Sequence, residues 1–294
     1  PPHRVDLSAN LVLLLLALLF VLLYAALRTL AAVLELPRQA RRWRAQQRER
    51  AAHAQLLDGM VQLSAGRYLR GRKAAEDALA REQSMAASGE TLPQAPTLRA
   101  LAHLTAAASA HSLQDNVLRD THLAQALDAA AGSAAPQELR EGLHMRAARW
   151  ALDDHDPTAS LDWLDRLPQG ASRRTLALRI KLKAARQARQ SAAALETARL
   201  LAKHRAFSSE AARSLLRSLA SELIDTAHDP AQLQTIWASL DATERAMPEL
   251  ALRAAQRMMA LGGEGALVRE WLRPVWEQML TLPEAFADAH GVRL

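Results

Sequence analysis

The sequence predicts an all-α protein, with an N-terminal transmembrane helix followed by a TPR-like α-helical solenoid of about six helix pairs. Three observations predict this. Leu11 to Leu27 is an apolar run with no charge, Gly or Pro. From Ala51 onward, paired helical stretches with short breaks recur, their starts roughly 35–47 residues apart. No strand-like alternation interrupts them, and aromatic residues make up only 4% of a chain dominated by Ala and Leu.

The apolar run continues through Arg28 and Thr29 to Leu34. About 20 apolar residues are what a helix needs to cross roughly 30 Å of hydrocarbon, and Leu11, Leu14, Leu16, Phe20, Leu23 and Leu27 are assigned to that span. A buried core helix would keep a polar stripe, and this stretch has none. A cleaved signal peptide would have a shorter apolar core, with its basic residues ahead of it. The chain therefore divides into a leader and transmembrane helix (1–36), a basic juxtamembrane segment (37–50) and a repeat domain (51–294).

In the juxtamembrane segment, Arg38, Arg41, Arg42, Arg44, Arg48 and Arg50 face one acid, Glu49. Ahead of the span stands only Arg4, beside His3 and Asp6. Cytoplasmic flanks collect Lys and Arg, so the repeat domain is expected on the cytoplasmic side of an inner membrane. The arginines also suit an anionic lipid surface, and Trp43 among them suits the headgroup level. Nucleic acid is disfavoured because no aromatic platform accompanies the charge. The arginine run accounts for most of the net charge of +6, so the remainder balances close to neutral.

The expected pairs are 51–65 with 69–81, 97–112 with 116–131, 137–153 with 157–167, 173–186 with 191–204, 209–226 with 230–245, and 248 to about 280 with a turn at Leu261-Gly262-Gly263. Between the first and second pairs, Glu82 to Pro96 reads as a loop. Gly66 supplies the positive φ that closes a helix and Tyr68 opens the next one. Asp156-Pro157 and Asp229-Pro230 place Pro in a first helical turn, where its missing N–H costs nothing. The tetratricopeptide (TPR) pattern fits these pairs best. Gly66 and Tyr68 precede Ala74, Ala75 and Ala78, and Ala184 and Ala185 precede Leu195 and Ala198. Trp150, Trp163, Trp237, Trp271 and Trp276 read mainly as core fillers, with a few on a partner-binding face.

No nucleotide, metalloprotease or serine-hydrolase motif is present. The absence of Cys removes disulfides, Cys-ligated metals and thiol chemistry. Asp153-Asp154-His155-Asp156 reads as a solvated turn. His103 and His111 lie about two turns apart on one helix, and His144 adjoins Met145. Each has the chemistry of an axial haem ligand, but nothing in the sequence selects one. No catalytic, cofactor-binding or metal-binding residue is assigned.

Residues 1–82 resemble the proteobacterial HemY family, which is unrelated to the oxidase of the same name. The resemblance rests on the entry Pro1-Pro2-x-Arg4-Val5-Asp6-Leu7-Ser8, the apolar span, the arginine run and Gly66-Arg67-Tyr68. Gln114-Asp115, Asp120 and Leu123-Ala124 resemble that family's second repeat, and residues 235–256 resemble a later one. The resemblance implies two N-terminal membrane helices, a cytoplasmic repeat domain that continues beyond this chain, and an association with late haem biosynthesis. It carries over no catalytic residue. The expected function is therefore a membrane-anchored adaptor that binds partner proteins, with late haem enzymes the candidates that the resemblance implies. A haem or porphyrin carrier is the alternative, and an enzyme of porphyrin metabolism ranks behind both.

Overall fold

The computed structural model describes residues 9–90, 92, 94–132 and 135–281. These form helices and turns, with no strand among them. The chain divides into two compact units, Pro1–Pro136 and Gln137–Leu294.

The first unit opens with one continuous helix, α1 (Ala9–Ser64), which runs through the apolar span, Pro37 and the arginine run. At 1.5 Å per residue it is about 84 Å long. Only its last part packs inward. Ala52 and Leu56 are buried with Ala78 and Leu79 of α2 (Tyr68–Ala87) and with Leu98 and Ala102 of α3 (Ala95–Ser112). The alternation of Ala with Leu brings the helix axes close while Leu fills the ridges between them. Helix α4 (Asn116–Ala130) packs against α3, and the Asp115 carboxylate caps it by accepting from the Leu118 N–H at 3.1 Å.

Two glycines set the α1–α2 crossing. A Cβ on Gly59 would lie 3.2 Å from the Gly71 carbonyl oxygen. One on Gly71 would lie 3.2 Å from the Gly59 oxygen, the Leu63 nitrogen and the Ser109 hydroxyl. Backbone meets backbone here, so the neighbours cannot rotate away. Gly71→Val is expected to destabilise the unit by about 1–3 kcal/mol through overpacking, measured as a lower urea midpoint at unchanged slope.

The second unit runs α5 (Gln137–Asp153), α6 (Pro157–Asp165), the short turn α7 (Gln169–Ser172), α8 (Thr175–Gln187), α9 (Ser191–Lys203), α10 (Ser209–Asp225), α11 (Pro230–Ser239), the single turn α12 (Ala242–Arg245), α13 (Pro248–Ala260) and α14 (Gly265–Thr281). Neighbours along the chain pack on each other: α5 on α6, α6 on α8, α8 on α9, α9 on α10, α13 on α14. One cluster joins Leu195, Leu201, Leu219, Ile224, Leu233, Leu250 and Met258. A second joins Leu152, Leu164, Leu167 and Ile180.

The turns share one geometry. Gly66, Gly89, Gln114, His155, Arg189, Arg205 and Gly262 all have φ between 53° and 74°. At each, the next N–H reaches back to the carbonyl five residues earlier, as in Asp115 to Ala110 at 2.9 Å and Asp156 to Ala151 at 2.8 Å. This is the left-handed helix stop with its six-to-one hydrogen bond. Two helix boundaries differ from the sequence expectation. α2 continues to Ala87, past the expected break at Glu82, because Glu82 and Met85 are buried and hold that last turn down. The expected helix 230–245 is two pieces, because Asp241 starts a new turn whose Glu244 side chain accepts from the Asp241 N–H at 3.0 Å.

Candidate membrane anchor and binding surfaces

Asn10–Thr29 is long and apolar enough to cross a membrane, and none of it is buried within the protein. Leu11, Leu14, Leu16, Phe20, Leu23 and Leu27 are all exposed, Phe20 at 71%. A core helix of a water-soluble protein would bury such a surface. The span ends on groups suited to an interface. Arg28 Nη1 donates to the Tyr24 hydroxyl at 3.2 Å, and the Thr29 hydroxyl donates back to the Ala25 carbonyl at 2.9 Å.

Of the arginine run, Arg44, Arg48 and Arg50 are exposed on α1, as is Trp43. The side chains of Arg38, Arg41 and Arg42 lie outside the described residues, as do the leader ahead of Ala9 and the segment after Thr281. Arg48 Nη1 meets Glu90 Oε1 at 3.3 Å, which ties the basic stretch to the loop after α2. Gly66, with φ 73°, precedes Tyr68, the first residue of α2. With Arg67, Leu69, Arg70 and Leu113 they line an open depression of about 480 Å³.

The histidines sort themselves in a way that the sequence does not indicate. His103 meets His122 of α4, with Nδ1 atoms 3.1 Å apart and rings 5.3 Å apart. One imidazole must donate and the other accept, so at least the accepting ring is neutral in this contact. Burial, then the His122 and Arg99 charges, push the His103 pKa down to about 4. Burial also lowers that of His122. His111 instead lies 3.4 Å from Arg119 Nη1. His144 lies against Trp163, with ring centroids 5.8 Å apart, and the Arg166 guanidinium sits 4.2 Å from the Trp163 ring centroid. Within Asp153–Asp156, Asp156 caps α6 by accepting from Ala159 N–H at 2.9 Å, and His155 takes the positive φ of the turn.

The His103–His122 contact has a pH consequence. Both groups bind a proton more weakly folded than unfolded, so the unfolded chain takes up protons first. Their contribution to stability is full above the unfolded value of 6.5 and is lost as pH falls toward about 4. His103 is half-buried, so its effect is on the order of 1 kcal/mol once solvent screening is allowed for. The thermal midpoint should fall between pH 7 and pH 4.5, and His103→Asn should flatten that fall.

The second unit carries two further grooves. One, of about 500 Å³, lies between α11 and α14, where Trp237 and Trp271 stack with centroids 5.0 Å apart, beside Arg245, Glu270 and Pro274. Trp150, Trp237 and Trp271 are buried, as core fillers should be, whereas Trp276 is 52% exposed. The other groove, of about 510 Å³, lies on α8 and contains Arg179, Lys183, Arg186 and Phe207. Among the described residues, no group of three or more His, Asp or Glu side chains is placed to hold a metal ion.

Neither a curated protein nor a solved structure matches the chain. Residues 1–114, which hold the apolar span, the arginine run and the helices through α3, match the family model described as HemY protein N-terminus. By that match, the first 114 residues of the chain are similar to the N-terminal part of HemY proteins.

Proposed function

We propose that the chain is a membrane-anchored TPR scaffold on the cytoplasmic face of the bacterial inner membrane, and that it binds partner proteins of late haem (porphyrin) biosynthesis without catalysing a reaction itself. The observation that carries this reading is the continuity of α1. One helix presents an exposed apolar span and, within two turns of the end of the arginine run, becomes a packed wall of the first helix pair through Ala52 and Leu56. A domain built onto its own anchor stays within a thin layer at the membrane. Confinement raises the effective concentration of anything it binds, which suits the transfer of poorly soluble porphyrins between enzymes. The arginines that follow the span support the cytoplasmic orientation. The similarity of residues 1–114 to the HemY N-terminus supports the link to haem.

A porphyrin carrier is the second reading. It is favoured by the Trp237–Trp271 groove, whose volume falls in the range of small-molecule sites and which has Arg245 at its edge to meet a carboxylate. In-membrane crosslinking of the full-length protein, followed by affinity capture and mass spectrometry, separates the two. Recovery of late haem enzymes supports the scaffold. A co-purifying porphyrin with no specific protein supports the carrier. A variant with the juxtamembrane arginines reversed to Glu serves as the control for correct placement.

A further inference from the structure

The near-neutral charge balance outside the juxtamembrane run conceals a second basic stretch. Residues 173–205 hold ten Lys and Arg and a single acid, Glu196. Elsewhere in this unit, several arginines pair with carboxylates on another helix. Arg174 meets Glu141 at 2.8 Å, Arg217 meets Glu249 at 2.7 Å, and Arg253 meets Asp225 at 2.7 Å. The outer face of α8 departs from that pattern. Arg179, Lys183 and Arg186 follow at steps of four and three residues, so they share one face and span about 10 Å of helix axis. All three are exposed, and among the described residues none forms an ion pair.

These cations line the groove of about 510 Å³ on α8, whose apolar side is Leu182 and the half-buried Phe207. Arg179 is held in place, since its Nη2 donates to the Ala206 carbonyl at 3.0 Å and its guanidinium carbon lies 5.8 Å from the Phe207 ring centroid. Glu222, the single acid in the lining, accepts from the Ser218 hydroxyl at 3.5 Å. A concave surface with three uncompensated cations and an apolar wall concentrates positive potential where water is partly excluded. It matches a ligand that offers carboxylates over about 10 Å and one apolar side chain between them.

We propose that this groove docks an acidic amphipathic segment of a partner protein. Carboxylates three or four residues apart on a helix meet Arg179, Lys183 and Arg186, and a Leu or Phe side chain rests against Leu182 and Phe207. The proposal rests on the scaffold reading and says which surface the partner uses. A nucleic acid strand fits less well, because it asks for successive stacking platforms and the groove offers one ring.

The test uses the full chain in detergent micelles and a short labelled peptide with three Glu at helical spacing around one Leu and one Phe. A peptide with Gln in place of Glu is the control. The acidic peptide is expected to bind, to weaken steeply with added salt, and to lose at least tenfold in affinity to the double variant Lys183→Glu, Arg186→Glu. Phe207→Ala should weaken binding several-fold. Lys183→Gln with Arg186→Gln, at an unchanged thermal midpoint, separates charge loss from misfolding. Equal binding of the Gln peptide, indifference to both double variants, or a dicarboxylic porphyrin or DNA oligonucleotide binding in the peptide's stead overturns the proposal. In cells, a photo-crosslinking residue is placed at Gln187 and, separately, at Trp276. A partner captured only from Trp276 removes the groove and leaves the scaffold standing, whereas capture from neither position removes both.

Discussion

Arg199→Ala is expected to destabilise the second unit by about 3–5 kcal/mol, the scale for removing one partner of a buried ion pair. Glu244 is 1% exposed. Arg199 reaches it from α9 with two parallel bonds, Nε to Oε1 at 2.9 Å and Nη2 to Oε2 at 2.5 Å, and also donates to the Ser239 carbonyl at 3.2 Å. The hydrogen bond to Glu244 holds the guanidinium protonated well above its ordinary range. Without it, a carboxylate stays buried with one backbone N–H, and the turn α12 loses its tie to α9. At about 2–4 °C per kcal/mol for a domain of this size, the thermal midpoint should drop by roughly 10 °C.

Arg253→Ala provides the comparison. Its bond to Asp225 is as well formed, at 2.7 and 2.8 Å, but both side chains are largely exposed, so the change should stay within about 1 kcal/mol. The double variant Arg199→Met, Glu244→Leu should recover much of the loss, because two apolar side chains no longer leave a charge stranded. Equal midpoints for Arg199→Ala and Arg253→Ala would show that burial does not set the strength of this pair.

What was legible in the sequence follows the range of the signal. The helix pairs were legible because apolar spacing, Asp-Pro starts and breaks are local. Asp156-Pro157 and Asp229-Pro230 start α6 and α11 as expected. The common turn was only half legible. Gly66 and Gly262 announce a left-handed stop, but Gln114, His155, Arg189 and Arg205 adopt the same φ with a Cβ. At those turns the six-to-one hydrogen bond and the packing on either side hold a conformation that residue type alone does not predict. Contacts between helices were not legible. His103 and His122 lie 19 residues apart, and Arg199 and Glu244 lie 45 apart, so no helical period links them. The α8 cations were visible in the sequence as charge. What it lacked was the knowledge that Glu141, Asp225, Glu244 and Glu249 are already engaged by other arginines.

Placing two arginines at the centre of the apolar span is expected to have the largest effect on where the protein resides. Leu16 and Phe20 lie one helical turn apart, close to the middle of Asn10–Thr29. An arginine at the centre of a span costs about 2.5–3.5 kcal/mol on insertion scales. Two on one face cannot both reach an interface easily, so Leu16→Arg with Phe20→Arg costs on the order of 5–7 kcal/mol. That shifts an insertion equilibrium by roughly 5,000- to 100,000-fold, and the protein should leave the carbonate-resistant membrane pellet for the soluble or degraded fraction. Leu16→Ala with Phe20→Ala keeps the run apolar and should remain in the pellet. The helix pair formed by α1 and α2 should survive the arginines, because its buried contacts begin at Ala52, more than 30 residues further on. Its helical signal and cooperative unfolding therefore serve as the internal control. A charged variant that stays in the pellet with its fold intact would mean that Asn10–Thr29 lies along a surface rather than across the bilayer. The arginines of α1 would then be the main source of attachment, and reversing Arg44, Arg48 and Arg50 to Glu would release the protein where the span variant did not.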